Sequence, residues 1–404
     1  MEAATIIFSI GIDNLSHNGG MNMKNNKKNT ATPWKIVSAV LAVALVAVCC
    51  TWVFTANSGQ TLTPADNTSV TEAVSETESQ NIDADALSLW TDDAPLKAEL
   101  TAYMTTITDE NSADFIPVEN RIAVFDMDGT LCCETDPGYF DHKLLYHRVM
   151  EDPDYKDQAS DEEKATCEII KEYFDTGSYP EGLDVKHGTA VATAFKGMTT
   201  EEFDAYVKAY RDTPMESYTN MTNGQAFYKP MLQVIDYLQA NDFTVYIVSG
   251  TDRLITRGLA EGVINIPLSQ MIGSDESLVA SGQGDEDGLD YTFGKDDEVV
   301  TGGEFLTKNL KTNKVTVIEQ EIGVQPVLCF GNSSGDAAMA NFTINNNPYK
   351  AAAYMLCCDD TERENGNVEK ADKMRASCEE NGYTAVSMKN DWTTIYGDNV
   401  TKTK

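Results

Sequence analysis

The sequence predicts an α/β fold: a doubly wound, Rossmann-like parallel sheet core with an inserted helical cap domain. Two observations carry this. Residues 122–125, 244–248 and 326–330 are short, mostly apolar runs without alternation, as expected of strands buried on both faces of a parallel sheet. Each run ends in oxygen-bearing side chains and a glycine: Asp126, Asp128 and Gly129; Ser249 and Gly250; Gly331, Asn332 and Asp336. Ligands of open α/β sheets bind at strand carboxyl ends, so three such endings point to one crevice.

Length and charge bound the rest. The chain has 404 residues, which suits about two domains. Its net charge is −34, from 30 Lys and Arg against 64 Asp and Glu, which argues against a nucleic-acid partner. If so acidic a chain acts on an anion, it must place a few cations locally. Residues 21–28 are basic and 36–54 almost wholly apolar, a run long enough to span a bilayer. Residues 1–56 therefore read as a secretory signal or an uncleaved membrane anchor, which predicts an extracytoplasmic protein, secreted or held at the membrane. Residues 57–84 are rich in Ser, Thr and Glu and read as a disordered linker. The folded domain is expected over 85–404, with the cap inserted at about 132–225. None of the nine cysteines has the Cys-x-x-Cys spacing of a zinc site.

The first strand ending is the most informative. Asp126 and Asp128 are two residues apart across a turn at Gly129, so both carboxylates can enter one crevice. They repel unless a cation or proton lies between them. Mg²⁺ suits such a site, since it takes one or two carboxylates together with substrate phosphate and water. One Asp could then attack phosphorus, while the other protonates the leaving oxygen and activates water.

The stretch after Cys132 is acidic, helical in pattern and too long for a connecting loop, so it is expected to form a lid. Glu134 lies at its hinge and could reach the substrate. His142 and His147 are five apart, not the four of a helix-face metal pair, so these two and His187 are expected to be exposed or capping. Pro230 opens a helix whose apolar face is Met231, Val234, Ile235 and Leu238. At the second strand ending Ser249 can donate to a phosphate oxygen, and Gly250 lets its backbone N–H approach. Arg253 follows and is expected near the substrate. Residues 271–274 read as a third short strand and 280–303 as a hairpin excursion. Of Lys308, Lys311 and Lys314, one is expected to neutralise the carboxylates and the phosphate. Asn332 and Asp336 are four apart, so one helical turn would bring both to the crevice. Two more strands near 349–356 and 383–388 make at least five.

Asp-x-Asp-Gly-Thr at 126–130, the Ser249-Gly250 pair, a lysine and Gly-Asn-x-x-x-Asp at 331–336, in that order, resemble the haloacid dehalogenase superfamily of phosphatases. The helical insertion is similar to the cap of its phosphoserine-phosphatase-like branch. The stretches around Asp126 and Asn332 resemble secreted bacterial, phosphorylcholine-phosphatase-like members. The resemblance implies a phosphatase acting on a small phosphorylated metabolite through an aspartyl-phosphate. It makes Asp126 the nucleophile and Asp128 the acid/base. Mg²⁺ would be held by Asp126, the Asp128 carbonyl and Asn332 or Asp336. Ser249 and a lysine, Lys314 or else Lys311, would bind phosphate. Two departures stand out: Asn332 replaces an aspartate common in relatives, and Cys357-Cys358 replaces residues that are often His. A phosphotransferase or phosphomutase of the same fold, or a non-enzymatic surface binding protein, are the competing readings.

Overall fold

A computed structural model of the chain describes residues 86–403. The apolar run and the linker, with the localisation drawn from them, lie outside the described residues.

Helix α1 (Pro95–Ile107) starts on a proline and buries Leu96, Leu100 and Tyr103, the face expected from their spacing. Strand β1 (Ile122–Phe125) follows and is buried at every residue. A helical segment comes next: α2 (Phe140–Tyr146), which runs on into a single π turn, then α3 (Asp161–Thr176), α4 (Leu183–Ala194) and α5 (Thr200–Arg211). Capping boxes start α3 at Ser160 with Glu163 and α5 at Thr199 with Glu202, each satisfying two backbone N–H groups that the helix leaves unpaired. After a short strand β2 (Tyr218–Thr219) the chain returns to the sheet through α6 (Lys229–Ala240).

The remaining elements complete the core: β3 (Thr244–Asp252), α7 (Arg253–Ala260), β4 (Met271–Ala280), β5 (Val299–Thr307), α8 (Thr312–Glu321), β6 (Leu328–Gly331), α9 (Ala337–Ile344), β7 (Ala352–Cys357), α10 (Val368–Asn381), β8 (Thr384–Ser387), α11 (Met388–Asp391) and β9 (Thr401–Lys402). Seven strands form one sheet in the order β5-β4-β3-β1-β6-β7-β8. All its pairings are parallel except β4 with β5. The chain leaves β1 toward β3 and β4, then crosses back to build β6, β7 and β8 on the other side. The carboxyl end of β1 therefore lies at a switch point, where such sheets open a crevice.

The antiparallel β5 belongs to the hairpin excursion expected at 280–303 and joins a sheet that is otherwise parallel. Strand β4 runs ten residues, not four, because Asp275, Glu276 and Ser277 continue the strand into a hairpin with β5. Their polarity reads as loop in sequence. The pairing is made by backbone groups, which do not depend on side-chain polarity.

Aromatic rings brace the sheet beneath the switch point. Phe125 and Phe330 are register partners on β1 and β6 and stack at 4.2 Å, and Phe330 stacks on Tyr354 of β7 at 5.2 Å. The last of the described residues are tied in twice. Strands β2 and β9 pair antiparallel, and Trp90 meets Trp392 edge-on at 5.8 Å with both rings almost fully buried. Trp392→Ala is expected to lower the unfolding free energy by about 3–5 kcal/mol, the cost typical of truncating a buried large aromatic. Urea unfolding followed by far-UV circular dichroism measures this, and a loss below about 1 kcal/mol would show that the tie contributes little.

Candidate active site

The site forms where β1, β3 and β6 end. Asp126 N donates to Phe330 O at 2.9 Å, so the ladder runs one residue past β1 and fixes Asp126 on the sheet. The chain then turns tightly, with Thr130, Leu131 and Cys132 N–H all directed at Met127 O. Gly129 permits this turn. Its φ is +81°, and a Cβ there would fall 2.0 Å from the Asn332 side-chain amide. From β6, Asp336 folds back so that its Oδ2 accepts the N–H groups of Asn332 and Ser333 at 3.1 and 3.0 Å.

Lys314 on α8 joins the two strand endings. It is fully buried, and its Nζ lies 2.5 Å from Asp126 Oδ1 and 2.8 Å from Asp336 Oδ1. Burial works against its charge, but the Asp126 and Asp336 carboxylates more than offset this and raise its pKa above the ordinary lysine value. On the other partner, burial and the Asp336 carboxylate push Asp126 up to about 7, against the pull of Lys314.

Asp128 sits in a different environment. Its Oδ2 accepts from Thr251 Oγ1 at 2.8 Å, while Oδ1 is buried without a hydrogen-bond partner. Burial, Asp141 and Asp126 together raise its carboxyl well above the usual range. One end of the Asn332 side-chain amide lies 3.2 Å from both the Asp128 carbonyl oxygen and Asp126 Oδ2. With the amide nitrogen there it donates to both. With its oxygen there, three oxygens converge, with the Thr130 hydroxyl 3.4 Å from two of them, and oxygens so placed are the donor set of a hard cation. The residues present therefore fit Mg²⁺ through Asp126, the Asp128 carbonyl and Asn332. Both oxygens of Asp336 are already engaged by Lys314 and the Asn332 and Ser333 amides.

A cavity of about 240 Å³ opens over these groups. Asp126, Asp128, Gly250, Thr251, Asn332 and Asp336 line it from the core, and Tyr139, His142 and Tyr179 from the helical segment. Glu134 is on its wall, as expected from its place at the hinge, and is held by Lys370 Nζ at 2.7 Å and Tyr139 OH at 3.0 Å. Lys308 and Lys311 are there too, with no carboxylate within ion-pair distance among the described residues.

Three expectations need correction. Ser249 is fully buried off the cavity wall, its Oγ accepting from Thr251 N at 3.0 Å; the hydroxyl that reaches the cavity is that of Thr251, two residues on. Arg253 is not on the wall either. Its guanidinium is taken by Asp275 at 2.7 Å and Glu321 at 2.5 Å. His142 and His187 are neither exposed nor capping. They are 3% and 1% exposed, stacked at 4.0 Å, with Asp141 Oδ1 2.6 Å from His142 Nδ1. His147, by contrast, is part-exposed and pairs with Glu151. Sequence spacing gave no signal for the buried group, because His142 and His187 come from different helices. A second hydroxyl two residues after Ser249 was the available sign of Thr251.

The sequence profile of haloacid dehalogenase-like hydrolases matches residues 123–341, more than half of the chain. The chain belongs to that family. No curated protein matches it. Solved structures show distant likeness. A conserved protein of unknown function from Anaerococcus prevotii is 15% identical, with 72% of this chain and 91% of that one covered and a TM-score of 0.43. A cytosolic 5'-nucleotidase IIIB bound to cytidine is 13% identical, with coverage of 75% and 90% and a TM-score of 0.43. A phosphoserine phosphohydrolase-like protein from Francisella tularensis is 12% identical, with coverage of 67% and 95% and a TM-score of 0.34. The matched region of this haloacid dehalogenase-like hydrolase runs from β1 into α9 and so contains Asp126, Asp128, Lys314, Asn332 and Asp336.

The raised Asp126 carboxyl gives a pH signature in metal-free protein. Folded, it keeps its proton up to about pH 7; unfolded, only to about pH 4. Between those values the folded state binds the extra proton, so stability falls as pH rises. Thermal unfolding with a chelator should show this fall, and Asp126→Asn should make it shallower, leaving the part that Asp128, Asp252 and Glu276, also raised by burial, contribute. Parallel profiles for the two proteins would refute the assignment.

Proposed function

We propose that the chain is a Mg²⁺-dependent phosphatase that hydrolyses small phosphomonoesters through an aspartyl-phosphate, in the manner of the phosphoserine-phosphatase-like branch of its family. The observation that carries this is the buried Lys314 bridging Asp126 and Asp336 beside the converging oxygens of Asp126, Asp128 and Asn332. A buried ammonium between two carboxylates is costly to desolvate, so its presence is better explained by the chemistry of the site than by fold stability. We take Asn332 rather than Asp336 as the metal ligand, because both Asp336 oxygens already have donors. Bound Mg²⁺ would neutralise phosphate oxygens and reduce the repulsion met by the attacking carboxylate.

In this reading an Asp126 oxygen attacks phosphorus, and the bond from phosphorus to the leaving oxygen breaks. Asp128 gives its proton to that oxygen; its raised pKa keeps the proton available. In the second step Asp128 takes a proton from water, the water oxygen attacks phosphorus, and the Asp126 carboxylate is released. Lys314 holds Asp126 in a fixed orientation throughout. Lys308 and Lys311 supply local positive charge in an acidic chain, and the Gly250 backbone can approach the phosphate closely. The helical segment acts as a cap that limits the size of the leaving group, in keeping with a cavity of about 240 Å³. Export or membrane anchoring remains our proposal from residues 21–54 alone; surface proteolysis of intact cells tests it, and recovery only from the cytosol would overturn it.

A panel of phosphomonoesters assayed with and without Mg²⁺ tests the activity, and absence of Mg²⁺-dependent phosphate release from all of them would overturn it. Asp126→Asn should abolish turnover, because an amide cannot serve as the nucleophile. Asp128→Asn should slow it by about 10²–10⁴-fold, the range of general acid–base contributions. Mass spectrometry of protein quenched during turnover should place the phosphoryl group on Asp126; a label on another residue would refute the mechanism.

A further inference from the structure

Asp141 has no part in the reaction as described so far. It stands on α2 in the helical segment, 3% exposed yet on the cavity wall. His142 Nδ1 donates to its Oδ1 at 2.6 Å, and His187 Nδ1 lies 3.7 Å from its Oδ2. The histidine rings are parallel within 2°, so their in-plane lone pairs run side by side and do not meet at one point. The three residues therefore make a braced carboxylate rather than a chelate.

That carboxylate reaches across to the core. Its Oδ2 is 3.4 Å from Thr251 Oγ1, and the same hydroxyl donates to Asp128 Oδ2 at 2.8 Å. Asp128 Oδ1 is buried without a partner, so among the described residues this hydroxyl is what aims the Asp128 side chain. Threonine has few χ1 wells. Its one hydroxyl proton serves one carboxylate at a time: with Asp128 protonated, the hydroxyl can accept from Asp128 and donate to Asp141, which links all three. Thr251 and Asp128 belong to the core strands, whereas Asp141 belongs to the helical segment. A shift of α2 would remove Asp141 from Thr251 and leave the Asp128 backbone in place, with its side chain aimed by a hydroxyl no longer held from the helical segment.

We propose that Asp141 is a positioning residue for the acid/base step: through Thr251 it ties the placement of the helical segment to the aim of the Asp128 carboxyl. The inference rests on the phosphatase reading. It differs from a cap that only selects substrates, because here the cap takes part in setting the rate.

The test is a double-mutant cycle on the full chain, with p-nitrophenyl phosphate and Mg²⁺ as the assay. Asp141→Ala and Thr251→Val should each lower kcat by about 10- to 100-fold, as expected when a catalytic group is misplaced by up to an ångström. KM should stay within about threefold, since ground-state binding is untouched. The double variant should lose no more than the larger single loss, because both substitutions break one line of contact. Thr251→Ser restores the hydroxyl and should recover most of kcat. If circular dichroism shows Asp141→Ala unfolded, Asp141→Leu carries the same cycle, since it keeps the side-chain volume and has no polar atom to meet Thr251. Losses that multiply in the double variant, or a rise in KM with kcat intact, would overturn the inference alone. Absence of turnover of every phosphomonoester in the panel by the unaltered protein would overturn the phosphatase reading and this inference with it.

Discussion

The buried ammonium of Lys314 is the constraint on which the rest of the site depends. A lysine with no exposure cannot keep its charge without close carboxylates, and it has two, from different strands. To supply them, β1 and β6 must be neighbours and must end at the same level. The topology does this by crossing the sheet after β5 and laying β6 against β1. The stacked Phe125 and Phe330 rings lock that pairing one residue below the carboxylates. Removing one partner of such a cluster would leave an uncompensated buried charge, so Asp126, Lys314 and Asp336 stand or fall together.

The same arrangement separates two carboxylates that sequence places side by side. Asp126 faces Lys314 on one oxygen and Asn332 on the other. Asp128, two residues on, has only a neutral hydroxyl and the field of three further acids, Asp141, Asp126 and Glu134. One is therefore paired with a cation, and the other has only a neutral partner. In the proposed reading this difference in surroundings would let two residues of one type divide a reaction between nucleophile and acid.

Much of this arrangement was legible in the sequence. Buried parallel strands leave an apolar run with no alternation, and their polar endings must face the crevice; Asp126, Asp128, Gly250, Asn332 and Asp336 were located that way and do meet on one cavity. Lys314 was separable from Lys308 and Lys311 only by resemblance, since three lysines three residues apart carry no burial signal of their own. The β4–β5 hairpin was half-visible, because Asp275, Glu276 and Ser277 hide a strand behind polar side chains. Ser249 and Arg253 were misplaced for a common reason. Sequence identifies which groups could reach a phosphate, but not that Ser249 turns to its own backbone or that Asp275 and Glu321 capture the arginine. The Asp141, His142 and His187 group was invisible because its members meet only when α2 and α4 pack.

That last group changes what the helical segment contributes. An inserted lid that only closed a cavity would need an apolar underside and little else. This one instead buries a carboxylate and two imidazoles at its contact with β3, where each polar group must be matched or pay its full desolvation cost. The carboxylate is matched on one side by His142 and on the other approaches a core hydroxyl, while the His187 ring nitrogens have no hydrogen-bond partner among the described residues. Burial of this kind weakens the seat of the segment on the core relative to an apolar contact of the same size. A contact that gives up stability while lying 3.4 Å from the hydroxyl that aims Asp128 is better accounted for by the chemistry of the site than by the packing of the fold.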